Sequence, residues 1–338
     1  MEKTMTGKKI LLTDMAGFRI GNAQDYDGMT GVTVVLLDAE NKTGIDISGG
    51  GPATREAALC FSETADHSLH AIVLAGGSAF GLDASAGVVQ YLKEHNIGYP
   101  IVKYRVPLVC QSGIFDLGIG TDGVYPDAKM GYEACVDAEG NHPVSGIIGA
   151  GTGATVGKLY GIRRGVKTGI GYAAMQIGKL QIGAIAVVNA WGDVRDPDTG
   201  KIVAGLMDED RKEYINMVEE MIKKAEGDDW DPGLTEKTKE DPGRGNTTLG
   251  VILTNADFSK NDMNRVARMA RAAFGRCIAP VGTPADGDTI YAASLKPGVT
   301  ADISYVGTFA AKVFADAILD AVKSADMDDQ TFLSKINI

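Results

Sequence analysis

The stretch IGAIAVVNA, residues 182–190, is the longest apolar run in this chain of 338 residues. A strand with apolar side chains on consecutive positions needs cover on both of its faces. The run is also far shorter than the roughly 18 residues that a membrane-spanning helix requires. We therefore expect a strand in the protein interior, with a packed layer on each side, and no membrane partner.

Segments of the same kind alternate with helical patterns along the chain. Strands are predicted at residues 32–37, 70–75, 182–188 and 249–254. Helices are predicted at residues 52–63, 80–95, 208–225 and 304–323, and an apolar stripe over 263–274 follows a capping box formed by Ser259 and Asp262. Because the strands come in groups and leave the helices for the outer surfaces, the pattern predicts a layered α/β sandwich.

Composition narrows the possible partners and cofactors. The formal net charge is −11, which argues against a nucleic-acid partner because phosphate binding needs clustered Lys and Arg. The four cysteines lie far apart, the four histidines show no metal-ligand spacing, and the first residues show no signal-peptide pattern. We therefore expect a cytoplasmic protein with buried free thiols, no catalytic metal and no cofactor.

Residues 227–245, GDDWDPGLTEKTKEDPGRG, interrupt the alternation with two Asp-Pro steps, many charges and no apolar periodicity. One interpretation is a surface loop. The other is a processing segment, an exposed linker that ends at a cleavable bond between Asn246 and Thr247, beside a buried strand. These residues by themselves leave both interpretations open.

Thr247 is the leading candidate for a nucleophile. A Thr hydroxyl needs an adjacent base, and a Thr at a chain N-terminus carries one in its own α-amino group, whose pKa is about 7.7–8.0. That N-terminus would form if the Thr247 hydroxyl attacked the carbonyl carbon of Asn246 and converted the amide into an ester. Gly245 and Asn246 both tolerate the backbone conformations that expose a peptide bond to such an attack.

Seven blocks of sequence, taken in their order along the chain, resemble those of a known protein family. They are LTDMAGFRIGNA (12–23), GGGPATREAAL (49–59), LAGGSAFGLDA (74–84), GAGTGATVGKL (149–159), IGAIAVVNAWGDV (182–194), RGNTTLGVI (244–252) and DGDTIYAAS (286–294). In this order they resemble the DmpA-like peptidase family, which includes L-aminopeptidase/D-esterases, β-peptidyl aminopeptidases and a pantetheine hydrolase. The resemblance covers roughly residues 11–320.

The resemblance implies a four-layer αββα sandwich that is similar to the N-terminal-nucleophile (Ntn) hydrolases. It implies a single catalytic domain, residues 1–338, that cleaves itself into a large chain, 1–246, and a small chain, 247–338, and a homotetramer of these cleaved pairs. The implied activity is hydrolysis of amide, and of some ester, bonds in short peptides or small aminoacyl compounds through an acyl-enzyme.

The resemblance also assigns roles by position. The family's nucleophile falls on Thr247, and its oxyanion-hole amide falls on Asn189, where an NH₂ group at the end of an apolar strand is a fixed donor for developing negative charge. The pair that orients the nucleophile falls on Asp286 and Asp288, and Asp288 is favoured. The alternatives are ordinary turns, because Asn before glycine and Asp-Gly-Asp are both common turn sequences.

One position departs from the family. Aminopeptidase members are expected to place an acid that binds the substrate's free amine in the block where this chain has Gln111. An uncharged Gln111 cannot neutralise an ammonium group, and Asp116 is a nearby acid that could take its place. Gln111 and Asp116 are therefore the candidate substrate-binding residues, and a strict aminopeptidase specificity is left open.

A non-catalytic small-molecule-binding protein is the alternative from another class. In that interpretation, the glycine-rich turns build a pocket for an anionic metabolite at a helix N-terminus. Two glycine-rich segments fall short of a known motif. The segment GGSAF (76–80) lacks the last glycine of a nucleophile elbow, and GATVGK (153–158) is followed by Leu159 instead of the hydroxyl residue of a phosphate loop.

Overall fold

The computed structural model describes residues 7–227 and 245–338. Eighteen β-strands lie within them: β1 Lys8–Ile10, β2 Phe18–Asp25, β3 Thr30–Leu37, β4 Lys42–Ile47, β5 Ala53–Arg55, β6 Ala71–Ala75, β7 Tyr99–Ile101, β8 Tyr104–Val106, β9 Val109–Gly113, β10 Thr155–Val156, β11 Val166–Lys167, β12 Ile170–Ile177, β13 Leu180–Asn189, β14 Asp193–Arg195, β15 Ile202–Ala204, β16 Thr247–Ala256, β17 Ile278–Ala279 and β18 Thr289–Val299.

Seven α-helices lie within the same residues: α1 Ala84–Glu94, α2 Ala128–Asp137, α3 Met217–Glu226, α4 Lys260–Ala270, α5 Ala272–Cys277, α6 Ile303–Lys323 and α7 Asp329–Lys335. Short 3-10 helices occur at Leu12–Asp14, Ala57–Cys60, Phe80–Asp83, Gly149–Gly151 and Ile162–Arg164. In the part of the chain that is described, no helix is both long and apolar enough to cross a membrane.

Two sheets hold most of the strands. The first has six strands in the order β1-β12-β13-β16-β18-β4, and the second has five in the order β2-β3-β6-β9-β5. In the first sheet, β16 and β18 are parallel to each other, and the other neighbouring strands are antiparallel. The two strands at the centre of this sheet, β13 and β16, are those that the apolar sequence runs predicted.

The two sheets face each other across a core of buried apolar side chains. Ile185 and Val251 enter this core from the first sheet, and Val35 and Ile72 enter it from the second. Successive side chains of a strand point to opposite faces, so the neighbouring residues of the same strands face outward. Each sheet therefore needs a second apolar cover on its other side.

Helices supply that outer cover. On the first sheet, Ile252 packs in one cluster with Phe314 of α6, and on the second, Val73 packs with Val88 of α1 and Ala134 of α2. The order of layers is helix, sheet, sheet, helix. The layered α/β sandwich that the sequence pattern predicted and the αββα order that the resemblance implied are confirmed.

Most of the local predictions are confirmed. The four predicted strands are β3, β6, β13 and β16, and the predicted helices at 80–95 and 304–323 are α1, with the 3-10 turn before it, and α6. The capping box is also present, since the Ser259 and Asp262 side chains each accept a backbone N–H from the other residue. The apolar stripe that follows is helical but is divided between α4 and α5.

The helix predicted at residues 52–63 is wrong. Ala53–Arg55 form β5, which pairs with β9 at the edge of the second sheet. Glu56 then takes a left-handed conformation, with φ of 55°, which ends any helical path through this segment. Hydrogen bonds to a distant strand therefore outweighed the local helix propensity.

Only the second half of the helix predicted at residues 208–225 is confirmed, because α3 begins at Met217. Arg211 has a left-handed φ of 54°, which a continuous α-helix does not allow. The helix starts where Asn216 accepts the N–H of Val218 at 3.1 Å, as an N-cap residue does.

Two glycines allow helices to lie directly on the backbone of the first sheet. A Cβ at Gly171 of β12 would lie 2.2 Å from the nitrogen of Ala321 and 2.3 Å from the carbonyl oxygen of Ala317, both in α6. A Cβ at Gly44 of β4 would lie 2.1 Å from the nitrogen of Asn264 in α4. At these positions a side chain would push the helix off the sheet.

We expect Gly171→Ala to lower the free energy of unfolding by about 1–3 kcal/mol, as overpacking of a core typically does. Chemical denaturation would measure the change. Gly275→Ala is the matched control, because Gly275 lies in α5 and a Cβ there meets no atom within 4 Å. The control should be neutral or up to about 1 kcal/mol more stable. Equal stabilities of the two variants would contradict the close packing of α6.

Candidate active site

Thr247 is the first residue of β16, at the centre of the first sheet. It is buried, and in the strand register it stands opposite Asn189, the last residue of the antiparallel strand β13. Its hydroxyl donates a hydrogen bond of 2.5 Å to the carbonyl oxygen of Asn246, the residue before it. The hydroxyl therefore lies against the peptide bond that the sequence predicts to be cut.

The carbonyl oxygen of Asn246 has a second donor. The N–H of Gly287 reaches it at 2.8 Å, where Asn246 and Asp286 form a parallel bridge just before the starts of β16 and β18. A Cβ at Gly287 would lie only 2.5 Å from Oγ1 of Thr247. The absence of a side chain at Gly287 lets this backbone reach both the hydroxyl and the carbonyl. A developing negative charge on that oxygen would be stabilised by the Gly287 N–H.

Asn189 is buried, and its amide is held in one orientation. Its Oδ1 accepts the N–H of Thr155 at 3.0 Å and the ammonium of Lys158 at 3.1 Å. These two donors fix the amide so that Nδ2 points the other way, where it donates to Phe115 O at 2.9 Å and reaches Gly245 O at 3.5 Å. The NH₂ group thus faces the peptide backbone next to the Asn246–Thr247 bond, as a fixed donor.

Lys158 also lies in the site, although no sequence pattern assigned it a role. It is buried, and its Nζ lies 3.1 Å from Oδ1 and 3.3 Å from O of Asn189, and 3.5 Å from O of Gly245. Burial lowers the pKa of Lys158 to about 7, while the charges of Asp286 and Asp116 act in the opposite direction. The only sequence signal was a lysine at the end of the glycine-rich segment 153–158, which resembles a phosphate loop.

Asp286 and Asp288 lie in the loop before β18 and are both buried. Asp288 accepts the N–H of Thr248 at 2.6 Å and that of Gly282 at 3.1 Å, so it holds the backbone directly after Thr247. Burial, followed by the negative charge of Asp286, raises the pKa of Asp288 to about 7. Asp286 accepts the N–H of Thr283 at 2.7 Å. The two predicted acids thus lie beside the backbone on either side of Thr247, Asp286 bridging Asn246 and Asp288 binding Thr248.

Asp116 lines a small cavity beside the site, together with Lys158, Thr155 and Gly245. Its two carboxylate oxygens accept hydrogen bonds from uncharged donors, the Thr30 hydroxyl at 2.8 Å and the Gly77 N–H at 2.7 Å. Burial raises its pKa to about 6, against the lowering effect of these two hydrogen bonds and, to a smaller extent, of the Lys167 charge. The carboxylate therefore has no ion-pair contact in the described residues.

The side chain of Gln111 points toward the outer face of the second sheet. It lies in β9, where its Nε2 donates to Gly81 O at 2.7 Å and its Oε1 accepts the Ser85 N–H at 3.1 Å. These contacts hold it against the 3-10 turn and helix that cover the outer face of the second sheet. Gln111 is not among the residues that line the small cavity, so this placement does not favour its predicted contact with substrate.

The described residues contain no group of three or more His, Cys, Asp or Glu side chains that could hold a metal ion. Residues 228–244, which are all of the predicted processing segment 227–245 except its two terminal glycines, lie outside the described residues. The side chains that the structure brings together around Thr247 supply a hydroxyl, the Asn189 amide, the Lys158 amine and the carboxyl groups of Asp116, Asp286 and Asp288.

The fold and this arrangement define the class of protein. The structure superimposes on the L-aminopeptidase D-Ala-esterase/amidase of Ochrobactrum anthropi, described as a variant of the Ntn-hydrolase fold, with a TM-score of 0.68, 17% identity, and coverage of 95% of this chain and 88% of that one. A β-aminopeptidase of Burkholderia sp. gives a TM-score of 0.66 at 17% identity, over 96% and 90% of the two chains. The fold is that of the Ntn hydrolases.

Sequence comparison identifies the family within this class. The model of peptidase family S58 matches residues 11–330. An uncharacterized aminopeptidase of Mycobacterium tuberculosis is 35% identical, over 93% of this chain and 94% of its own length. A 6-aminohexanoate-oligomer endohydrolase of Paenarthrobacter ureafaciens is 31% identical, over 94% and 87%. The chain belongs to peptidase family S58, which confirms the resemblance to the DmpA family, and it is a peptidase or amidohydrolase.

Asp288 should make the stability of the protein depend on pH. The folded state holds its proton up to about pH 7, whereas an unfolded Asp loses it near 3.9. The stabilising contribution of Asp288 is therefore complete below about pH 4 and is lost as the pH rises to 7, a change on the order of a few kcal/mol. Asp288→Asn should remove this part of the slope.

The measurement is denaturant unfolding at several pH values between 4 and 8, with Thr247→Ala in both proteins so that the chain is continuous. Asp122→Asn, at an exposed position, is the control and should leave the slope unchanged. An identical slope with and without Asp288 would mean that its carboxyl group is ionised throughout this range.

Proposed function

We propose that this protein is a self-processing amidohydrolase in which Thr247 becomes the N-terminal nucleophile. The observation that carries this proposal is the hydrogen bond of 2.5 Å from the Thr247 hydroxyl to the carbonyl oxygen of Asn246, on an oxygen that also accepts the Gly287 N–H. Membership of a peptidase family favours hydrolysis over the alternative of a non-catalytic binding protein.

Self-cleavage would proceed in two steps. Oγ1 of Thr247 attacks the carbonyl carbon of Asn246, the C–N bond breaks, and the nitrogen of Thr247 takes up a proton, which leaves an ester. Water then hydrolyses the ester, so that Asn246 ends the large chain as a carboxylate and Thr247 begins the small chain with a free amine. Before the cut this amine does not exist, and Lys158, with its lowered pKa, is the nearby amine that can accept the hydroxyl proton.

Substrate hydrolysis would use the same hydroxyl with a different base. The new α-amino group of Thr247 accepts the hydroxyl proton, and an acyl-enzyme forms on Oγ1 and is then hydrolysed. Nδ2 of Asn189 now reaches Gly245 O at 3.5 Å. If the Gly245 backbone moves away after the cut, Nδ2 would be free to donate to the oxyanion of the substrate. Asp288 keeps the backbone after Thr247 in place through its bond to the Thr248 N–H.

We propose amide bonds of short peptides or small aminoacyl compounds as substrates, with esters as a second class. The relatives named aminopeptidase and 6-aminohexanoate-oligomer endohydrolase both act on amides by name. A substrate that carries an ammonium group would supply the charged partner that Asp116 lacks beside the small cavity. Asp116, rather than Gln111, is therefore the proposed amine-binding residue.

The remaining proposals concern processing, assembly and location. We propose one catalytic domain cut into residues 1–246 and 247–338, and a homotetramer of these pairs. The two pieces should remain together, because β16 of the small chain is hydrogen-bonded between β13 of the large chain and β18. All four cysteines are free thiols and are buried, which suits the reducing cytoplasm that we propose as the location.

Maturation is tested by mass. Purified protein should contain a fragment of 246 residues and one with the remaining 92 of the 338, and the smaller should begin with Thr247. Thr247→Ala should stay a single chain because it has no hydroxyl, and Thr247→Ser should still be cut. A small fragment that begins at Thr248, or cleavage of Thr247→Ala, would rule out this mechanism.

The oxyanion role of Asn189 is tested by kinetics. Asn189→Ala should lower kcat by roughly a hundred- to a thousandfold with KM nearly unchanged, because the lost hydrogen bond acts mainly in the transition state. Electrophoresis must first show that the variant is cut, so that the loss can be attributed to substrate turnover. A cleaved variant with normal kcat would leave Asn189 with a structural role alone.

Binding of the substrate amine is tested with an aminoacyl p-nitroanilide and its N-acetyl form. The parent should prefer the free amine by more than about a hundredfold, or roughly 2.7 kcal/mol. This preference should fall as the pH drops through about 6, where Asp116 becomes protonated. Asp116→Asn should abolish it, and Asp122→Asn should not. A preference that persists in Asp116→Asn would mean that another acid binds the amine.

A further inference from the structure

Lys167 is a buried lysine whose ammonium group is enclosed by backbone carbonyls. It lies in β11, and its Nζ donates to the carbonyl oxygens of Gly151 at 3.2 Å, Ala154 at 2.9 Å and Thr168 at 2.5 Å. Three acceptors match the three protons of an ammonium group. Lys167 thereby ties residues 151–154 to the segment between β11 and β12, and it makes no contact with Thr247 in the described structure.

Residues 151–155, which include two of the carbonyls that Lys167 binds, make two contacts with the site. The N–H of Thr155 holds Oδ1 of Asn189 at 3.0 Å and so helps to aim its NH₂ group. Gly153 packs against Asp116 so closely that a Cβ there would lie 2.5 Å from the Cβ and 2.7 Å from Oδ2 of Asp116. A shift of this segment would therefore move both the oxyanion donor and the wall behind the carboxylate.

Lys167 also acts on Asp116 through charge. The charged groups that face Asp116 among the described residues are Lys167 on β11 and Lys158 after β10. Burial lowers the pKa of Lys167 to about 7, and Asp116 is the one charge that opposes this. Lys158 donates to Asn189 and Gly245, whereas Lys167 donates to the carbonyls of Gly151 and Ala154. These two carbonyls flank Gly153, which packs against Asp116, so Lys167 is a cation held beside the wall of the carboxylate.

We propose that Lys167 is a positioning residue for the substrate site, which acts through Asn189 on turnover and through Asp116 on selection of the substrate amine. This inference rests on the proposed function of the site. Lys167 does not touch the reacting atoms. It fixes the segment that orients one substrate-binding group and supplies the positive charge that favours ionisation of the other.

The test is Lys167→Met, which keeps the length of the stem and removes the charge and the three donors. We expect kcat for both anilides to fall at least tenfold, because the Asn189 amide is less firmly aimed. We also expect the pH at which the preference for the free amine is half lost to rise, because the loss of a nearby positive charge raises the pKa of a carboxyl group. In an Asp116→Asn background, Lys167→Met should still lower kcat but should have no further effect on the preference.

Two further variants separate this role from general stability. Lys201→Met, at an exposed position, is the matched control and should change neither kcat nor the pH midpoint. Lys167→Gln keeps a donor but no charge, so it should move the pH midpoint with a smaller loss of kcat, and it serves if Lys167→Met does not fold. A lower melting temperature with an unchanged kcat and pH midpoint would overturn the proposal.

A readout that does not depend on activity separates this inference from the proposed function. In a carboxyl ¹³C NMR titration, the Asp116 resonance is identified by its loss in Asp116→Asn, and its midpoint should rise in Lys167→Met or Lys167→Gln. If the parent does not hydrolyse amides, the proposed function fails. If the parent is active and the Asp116 titration is the same with and without the Lys167 charge, the inference fails alone.

Discussion

The parallel pairing of β16 and β18 is the constraint on which the candidate site depends. Both strands begin at the same edge of the first sheet, so the residue before β16 meets the loop before β18. That meeting places the Gly287 N–H on the carbonyl oxygen of Asn246. The antiparallel strand β13 ends at the same edge, which brings Asn189 opposite Thr247. The starts of β16 and β18 and the end of β13 thus bring together the hydroxyl, its neighbouring carbonyl and an amide donor. No loop has to reach across the protein.

The site also depends on close approach between backbone segments, which glycine residues allow. Gly287 leaves room for the Thr247 hydroxyl, and Gly49 allows its own loop to lie against Asp286 and Asp288, since a Cβ there would be 2.2 Å from the carbonyl oxygen of Asp286. Gly153 does the same for Asp116. A glycine-rich sequence loses more conformational entropy on folding than others do. In return, hydrogen-bond donors of the main chain reach the site without side chains in between.

Burial of ionisable groups sets the electrostatics of the site. Lys158, Asp116, Asp288 and Lys167 all have pKa values displaced toward the range of 6 to 7, and in each case burial is the first cause. Groups in this state lose or gain a proton easily near neutral pH, which suits proton transfer. They also lower the stability of the folded protein, because each charge is taken out of water. Such a set of groups is typical of a functional site rather than of a structural core.

The sequence by itself determined the parts of this protein that depend on local pattern. Consecutive apolar residues identified β13 and β16 as buried strands, the Ser259 capping box located the start of α4, and Thr247 stood out at the junction of a polar segment and a buried strand. Tertiary structure alone decided which distant groups meet. Lys158 enters the site, Gln111 turns away from it, and residues 53–55 become an edge strand, because strand order and sheet pairing, not neighbouring residues, fix these contacts. A local pattern can specify which face of a strand is apolar. It cannot specify which strand will lie beside it, and the chemistry of this site is made between strands.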